Sequence, residues 1–113
     1  MACQVFPADR RPNHVLVNEY SSGAGLIPHD DGPLYYPVVA TVSLGGTTLL
    51  GYYTPGGGGE APLPVCNAFL EQRCLNVVRG GAYSNSWHGI DSGLEDVITE
   101  KCCNLSLTST HIG

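Results

Sequence analysis

The sequence predicts an all-β domain with little helix, a sandwich or barrel, from its short β-branched and aromatic runs, the glycine and proline turns between them, and the scarcity of helical periodicity. The first run is His14 to Tyr20, where Val15 and Val17 alternate with His14, Leu16 and Asn18 before the turn residues Ser21 to Gly25. Leu26 to Asp31 is a short extended stretch ended by Gly32 and Pro33. Tyr35 to Leu44 is rich in residues that fit a pleated surface, and Gly45-Gly46 separates it from Thr47 to Tyr53, which predicts a hairpin. Thr54 to Pro64, with Gly56 to Gly59 and three prolines, reads as a flexible loop between two halves. Val65 to Arg73 reads as a short helix or irregular segment. Cys74 to Arg79 and Ala82 to Ile90 follow, then a polar Asp91 to Lys101 stretch and a terminal strand over Asn104 to Ile112. The expected organisation is a tail over 1–11 and one incomplete domain over 12–113, with the glycine-rich loop at 54–64.

A length of 113 residues allows one small domain, and 42% hydrophobic against 13% charged residues describes a globular chain. No apolar run approaches the roughly 20 residues of a membrane helix, so no membrane partner is expected. Met1 to Arg11 has no continuous apolar stretch of the secretory kind, which points to an intracellular address, cytoplasm or nucleus. The five cysteines form an odd set without a C-x-x-C pair and read as reduced thiols rather than a disulfide framework or zinc ribbon. Adjacent Cys102 and Cys103 would point to opposite faces of a strand. The net charge of −5, with only Arg10, Arg11, Arg73, Arg79 and Lys101 as cations, is the wrong balance for tight, sequence-independent phosphate binding.

His29 and Asp31 lie two apart, so on extended backbone both side chains leave the same face. That spacing supplies two metal ligands, and His88, followed by Gly89 at the end of the strand-like Tyr83 to Trp87 run, is the candidate third. Two imidazoles and one carboxylate on one side of a metal leave the other side open, the facial arrangement of non-haem iron(II) oxygenases, which bind a bidentate co-substrate and dioxygen side by side. The same donors suit zinc and other divalent ions, and a histidine at the surface of a purely structural β fold is the competing reading. His14 and His111 have no support as ligands, and Trp87 reads as core.

The stretch PNHVLVNEYSSGAGLIPHDDGPLYYPVVATVSLG from Pro12, and RGGAYSNSWHGI from Arg79, closely resemble the AlkB family of iron(II)- and 2-oxoglutarate-dependent dioxygenases, and within it the homologue 6 group. The resemblance implies a double-stranded β-helix (jelly roll), iron(II) held by His29, Asp31 and His88, and 2-oxoglutarate contacted by Asn18 and Tyr20 in the family's N-x-Y motif. These two also share a strand face as hydrogen-bond donors, or else satisfy strand-end backbone groups. Tyr35 and Tyr36 match the region after the metal motif and border a substrate pocket on that reading, or pack across strands. Arg79 matches a family arginine, or is simply solvated. The implied reaction is oxidative dealkylation of a nucleobase or protein side chain with dioxygen and 2-oxoglutarate, which makes a nucleic acid an expected substrate.

The resemblance stops at Ile90, and the family's part before Pro12, which supplies flanking elements and a nucleotide-recognition lid, has no counterpart. The family's terminal arginine strand, which pairs with the 2-oxoglutarate carboxylates, aligns with NLSLTSTHI and puts Asn104 and Thr110 in place of the arginines. The alternative expectation is therefore an inactive metal-binding or regulatory variant without a co-substrate clamp.

Overall fold

The computed structural model describes residues 5–93 and 95–107. Six strands form two antiparallel sheets: β1 (Leu26–His29), β2 (Val38–Val42), β3 (Thr48–Tyr53), β4 (Pro64–Leu70), β5 (Leu75–Arg79) and β6 (Trp87–Ile90), with a single helical turn α1 (Gly81–Ser84) between the last two. The larger sheet has the order β1-β6-β3-β4, and the smaller pairs β2 with β5. The chain thus passes from the large sheet to the small one and back, twice, the winding of a jelly roll. The fold is all-β and jelly-roll-like, as the sequence predicts.

Alternation decides which face each strand turns inward. Leu50 and Tyr52 on β3 share a face with their partners Ala68 and Cys66 on β4, and Leu70 and Ile90 complete it. Leu50, Ala68, Leu70, Val78 and Tyr83 are the buried apolar residues among those described, and Tyr52, Cys74 and Ile90 pack half-buried against the Leu50, Ala68 and Leu70 cluster. This is a thin core, at roughly 1.5–3 kcal/mol for each fully buried large aliphatic side chain.

Several local expectations are corrected. His14 to Tyr20 forms no strand; Val15, Leu16 and Val17 are largely exposed, because nothing among the described residues lies beside them to complete a ladder or cover an apolar face. Tyr35 to Tyr53 is not a hairpin. β2 pairs along its whole length with β5, from Val38 opposite Arg79 to Val42 opposite Leu75, and Gly45-Gly46 serves the crossing between sheets. The glycine-rich loop at 54–64 does not separate two halves but closes the β3–β4 hairpin, held by reciprocal Gly57–Glu60 backbone bonds of 3.1 and 3.0 Å and by Thr54 N–H donating to Leu63 C=O at 2.8 Å. Val65 to Arg73 is mostly strand β4, whose Cys66, Ala68 and Leu70 keep a period of two. The chain then turns through Arg73, whose φ of 65° is unusual for a side-chain-bearing residue. Tyr83 to Trp87 is not one extended run: Gly80, at φ 60°, breaks the strand, and its carbonyl accepts from the Tyr83 and Ser84 amides to start α1.

The expected terminal strand is replaced at its start by a short 3-10 turn, Leu105–Leu107; its remainder, with Thr110 and His111, lies outside the described residues, as does Cys3. Ahead of that turn the chain runs along the open side of β4. Asn67 N–H donates to Lys101 C=O at 3.0 Å and Cys103 N–H to Asn67 C=O at 2.9 Å. Asn104 then clamps Phe69 with both ends of its amide, accepting from the Phe69 N–H at 2.7 Å and donating to its C=O at 2.8 Å. The side chain copies a neighbouring strand and caps an edge that could otherwise recruit another chain. Cys102 is half-buried and directs its thiol to Asn104, whereas Cys103 is exposed. Asn104→Ala is expected to cost about 1–3 kcal/mol by orphaning both Phe69 groups, seen as a lower Tm with unchanged metal affinity. A Tm equal to that of the parent would mean the clamp contributes nothing.

Candidate metal centre

β1 and β6 lie side by side with His29 directly opposite His88, so the two imidazoles meet across one antiparallel pair with ring centroids 4.6 Å apart. Close approach of β1 depends on Gly89: a Cβ there would lie 2.7 Å from the Leu26 carbonyl oxygen and 3.0 Å from the Pro28 nitrogen. Asp31 follows in the next loop, two residues past His29. Its Oδ1 lies 3.9 Å from His29 Nε2 and 3.7 Å from His88 Nε2. Tyr83 holds that loop down from α1, its hydroxyl donating to Gly32 C=O at 2.7 Å.

The donor set fits a divalent cation. One ligand atom from each residue lies within 4.8 Å of the other two, and among the described residues this is the one convergence of three such side chains. Donors about 2.1 Å from a metal and at right angles sit about 3 Å apart, so a closure of roughly 1–2 Å would bring these atoms to ligating distance. His29 is already set for this. Its Nδ1 is 2.8 Å from the Ile27 carbonyl, which requires the proton on Nδ1 and leaves the Nε2 lone pair facing Asp31. Burial pushes the His88 pKa below the ordinary histidine range and the His29 ring adds to this, against the opposing pull of Asp31 and Asp30. A neutral imidazole is the form that ligates a metal. Exposure grades across the site, from 16% for the His88 side chain through 29% for Asp31 to 42% for His29, so one side stays open to small molecules.

The other candidates are less gathered. Asn18 and Tyr20 are exposed, and neither side chain makes a hydrogen bond among the described residues. Tyr35 and Tyr36 precede β2, both partly exposed; Tyr35 lies 5.9 Å from the His14 ring and Arg10 stands over Tyr36 at 5.8 Å. Tyr36 and Arg79 also line a cavity of about 520 Å³ with Val5, Pro7, Ala8 and Val38. Trp87 is half-buried and faces the glycine loop rather than the core, since a Cβ at Gly56 would lie 3.0 Å from its ring. The Ile27 carbonyl and the Tyr83 hydroxyl were not foreseen, because a backbone acceptor and a tyrosine on an unexpected helical turn leave no mark in a ligand-spacing pattern.

No family model matches the chain. A Danio rerio protein named "Probable RNA/DNA demethylase ALKBH6" is 37% identical over 94% of the chain, so the likeness does not stop at Pro12 and Ile90, as the sequence reading expected, but runs beyond both. The chain is AlkB-like. An uncharacterized protein of Acanthamoeba polyphaga mimivirus is 33% identical over 82% of the chain. The AlkB-like chain spans about half the length of these curated relatives, 48% and 43% respectively. No helix among the described residues is long and apolar enough to cross a membrane.

Proposed function

We propose that this chain carries the iron(II) and 2-oxoglutarate centre of an AlkB-type dioxygenase that removes alkyl groups oxidatively from a nucleobase. The observation that carries the reading is the convergence of His29 Nε2, His88 Nε2 and an Asp31 oxygen on one open-sided point. Iron(II) bound there supplies the activation of dioxygen, coupled to oxidation of 2-oxoglutarate. The Ile27 carbonyl fixes the His29 tautomer, the low His88 pKa keeps that ring unprotonated, and Tyr83 steadies the loop that presents Asp31.

Two features support a nucleic-acid substrate. The Danio rerio relative's name specifies RNA or DNA demethylation. Tyr36 and Arg79 also line one cavity, and Arg10 stands over the Tyr36 ring, so two cations and an aromatic side chain of the kind that holds a phosphate and a base lie close together. The net charge of −5 leaves the rest of the electrostatic attraction to other surfaces. The free thiols of Cys66, Cys74, Cys102 and Cys103 suit a reducing, intracellular compartment.

A second reading, a metal-binding regulatory variant without turnover, is favoured by Asn104, which the sequence reading puts in the place of a family arginine and which spends its amide on Phe69. Anaerobic titration of the iron(II)-loaded protein with 2-oxoglutarate separates the two. The dioxygenase reading expects a visible metal-to-ligand charge-transfer band. Iron binding with no band at saturating 2-oxoglutarate would leave the regulatory reading standing.

A further inference from the structure

The metal row does not end at His88. His29 on β1 faces His88 on β6, His88 faces Tyr52 on β3, and Tyr52 faces Cys66 on β4. Directly opposed residues in an antiparallel sheet share a face, so these four side chains form one file across the whole sheet, all turned toward the smaller sheet. From that smaller sheet Asn76 on β5 reaches back, its amide donating to the Tyr52 hydroxyl oxygen at 3.4 Å. The phenol is therefore an acceptor toward Asn76. Its own O–H is not used in any hydrogen bond among the described residues.

Tyr52 also borders a cavity of about 400 Å³, lined in addition by Cys66, Gly81, Ala82, Asn85 and Ser86. It thus stands one strand from a metal ligand on one side and beside an open space on the other. Burial, with the nearby Cys103 and Cys66 thiols, pushes its pKa above the ordinary tyrosine range, so it remains a proton donor at neutral pH. No arginine or lysine stands in this file, and Asn104, which the sequence reading puts in the place of a family arginine, is committed to β4.

We infer that Tyr52, oriented by Asn76, binds the carboxylate of 2-oxoglutarate remote from the metal, in place of the arginine clamp. The inference rests on the metal-centre reading above. A dicarboxylate whose oxo-acid end lies at the His29–Asp31–His88 site has its other end a few ångströms away, the scale of one strand spacing, about 4.8 Å. A hydroxyl donating to a carboxylate makes a charge-assisted bond, stronger than its neutral counterpart. The arrangement also predicts selectivity: acids lacking the second carboxylate gain nothing from Tyr52.

The test uses the whole chain loaded with zinc(II), so that no turnover intrudes, and measures the dissociation constants of 2-oxoglutarate and pyruvate by calorimetry for the parent and for Tyr52→Phe and Asn76→Ala. The expected result is that the parent prefers 2-oxoglutarate, that Tyr52→Phe weakens 2-oxoglutarate about tenfold or more while leaving pyruvate unchanged, and that Asn76→Ala gives a smaller loss of the same kind. Zinc affinity and Tm serve as controls and should match those of the parent. An unchanged 2-oxoglutarate affinity in Tyr52→Phe, or an equal loss for both acids, overturns the role of Tyr52 and leaves the metal centre intact. A parent that binds zinc but neither acid overturns the co-substrate reading itself, and this inference with it.

Discussion

His88→Ala is expected to lower iron(II) affinity at least a hundredfold, the largest effect of any single substitution at the centre. Loss of an orienting partner alone costs about 10–100-fold in other metal sites, and here a ligand is removed from a set of three. The alanine also leaves Asp31 and His29 with no third donor, so any residual ion is held by two groups that are themselves 29% and 42% exposed. The experiment is anaerobic iron(II) titration, with thermal unfolding in parallel. A cation at a hundred times its dissociation constant raises stability by about 2.7 kcal/mol; that increment should be present in the parent and fall to about 0.4 kcal/mol or less in the variant at the same cation concentration, while the metal-free Tm changes little. Equal metal-induced stabilisation of both proteins would place the cation elsewhere.

Gly89→Ala should be nearly as damaging without touching a ligand. The added methyl would lie 2.7 Å from the Leu26 carbonyl oxygen and 3.1 Å from the Pro28 Cα, and these are backbone atoms that cannot rotate aside. β1 must therefore ride away from β6, carrying His29 and Asp31 from His88. Forced overpacking costs about 1–3 kcal/mol, a serious loss for a domain with so thin a core. Metal affinity is expected to fall at least tenfold, measured by the same titration, together with a lower Tm. Gly45→Ala is the control, since a Cβ there meets nothing within 4 Å. Wild-type metal affinity in Gly89→Ala would show that the β1–β6 approach does not set the ligand geometry.

What could be read from the sequence follows from what each pattern encodes. The two-residue spacing of His29 and Asp31 puts both on one side of the chain where the local backbone is extended, and the cross-strand partner His88 was recoverable because its own stretch resembles a known one. The pairing of strands was not recoverable. β2 and β3 are both apolar and joined by Gly45-Gly46, so local turn chemistry favours a hairpin; the observed pairing of β2 with β5 is decided by burial between sheets, which no local signal carries. The same applies to β4. Its alternation is present in Cys66, Ala68 and Leu70, but Glu71, Gln72 and Arg73 follow without a break and blur it into a helix-like composition. Tyr52 was overlooked because the file that gives it meaning exists only once three strands are set side by side.

The opposition of His29 and His88 across one ladder makes the centre sensitive to strand alignment. The β1–β6 ladder is irregular between Leu26 and His29 and regains its pairing at His29 opposite His88, so a slip of β1 by a single residue there would take His29 off the face it shares with His88. Among the possible alignments of these two four-residue strands, only the native one lets both rings grasp the same ion. A bound cation would therefore act as a proofreader during folding, adding its binding energy to the correct alignment and to none of the slipped ones.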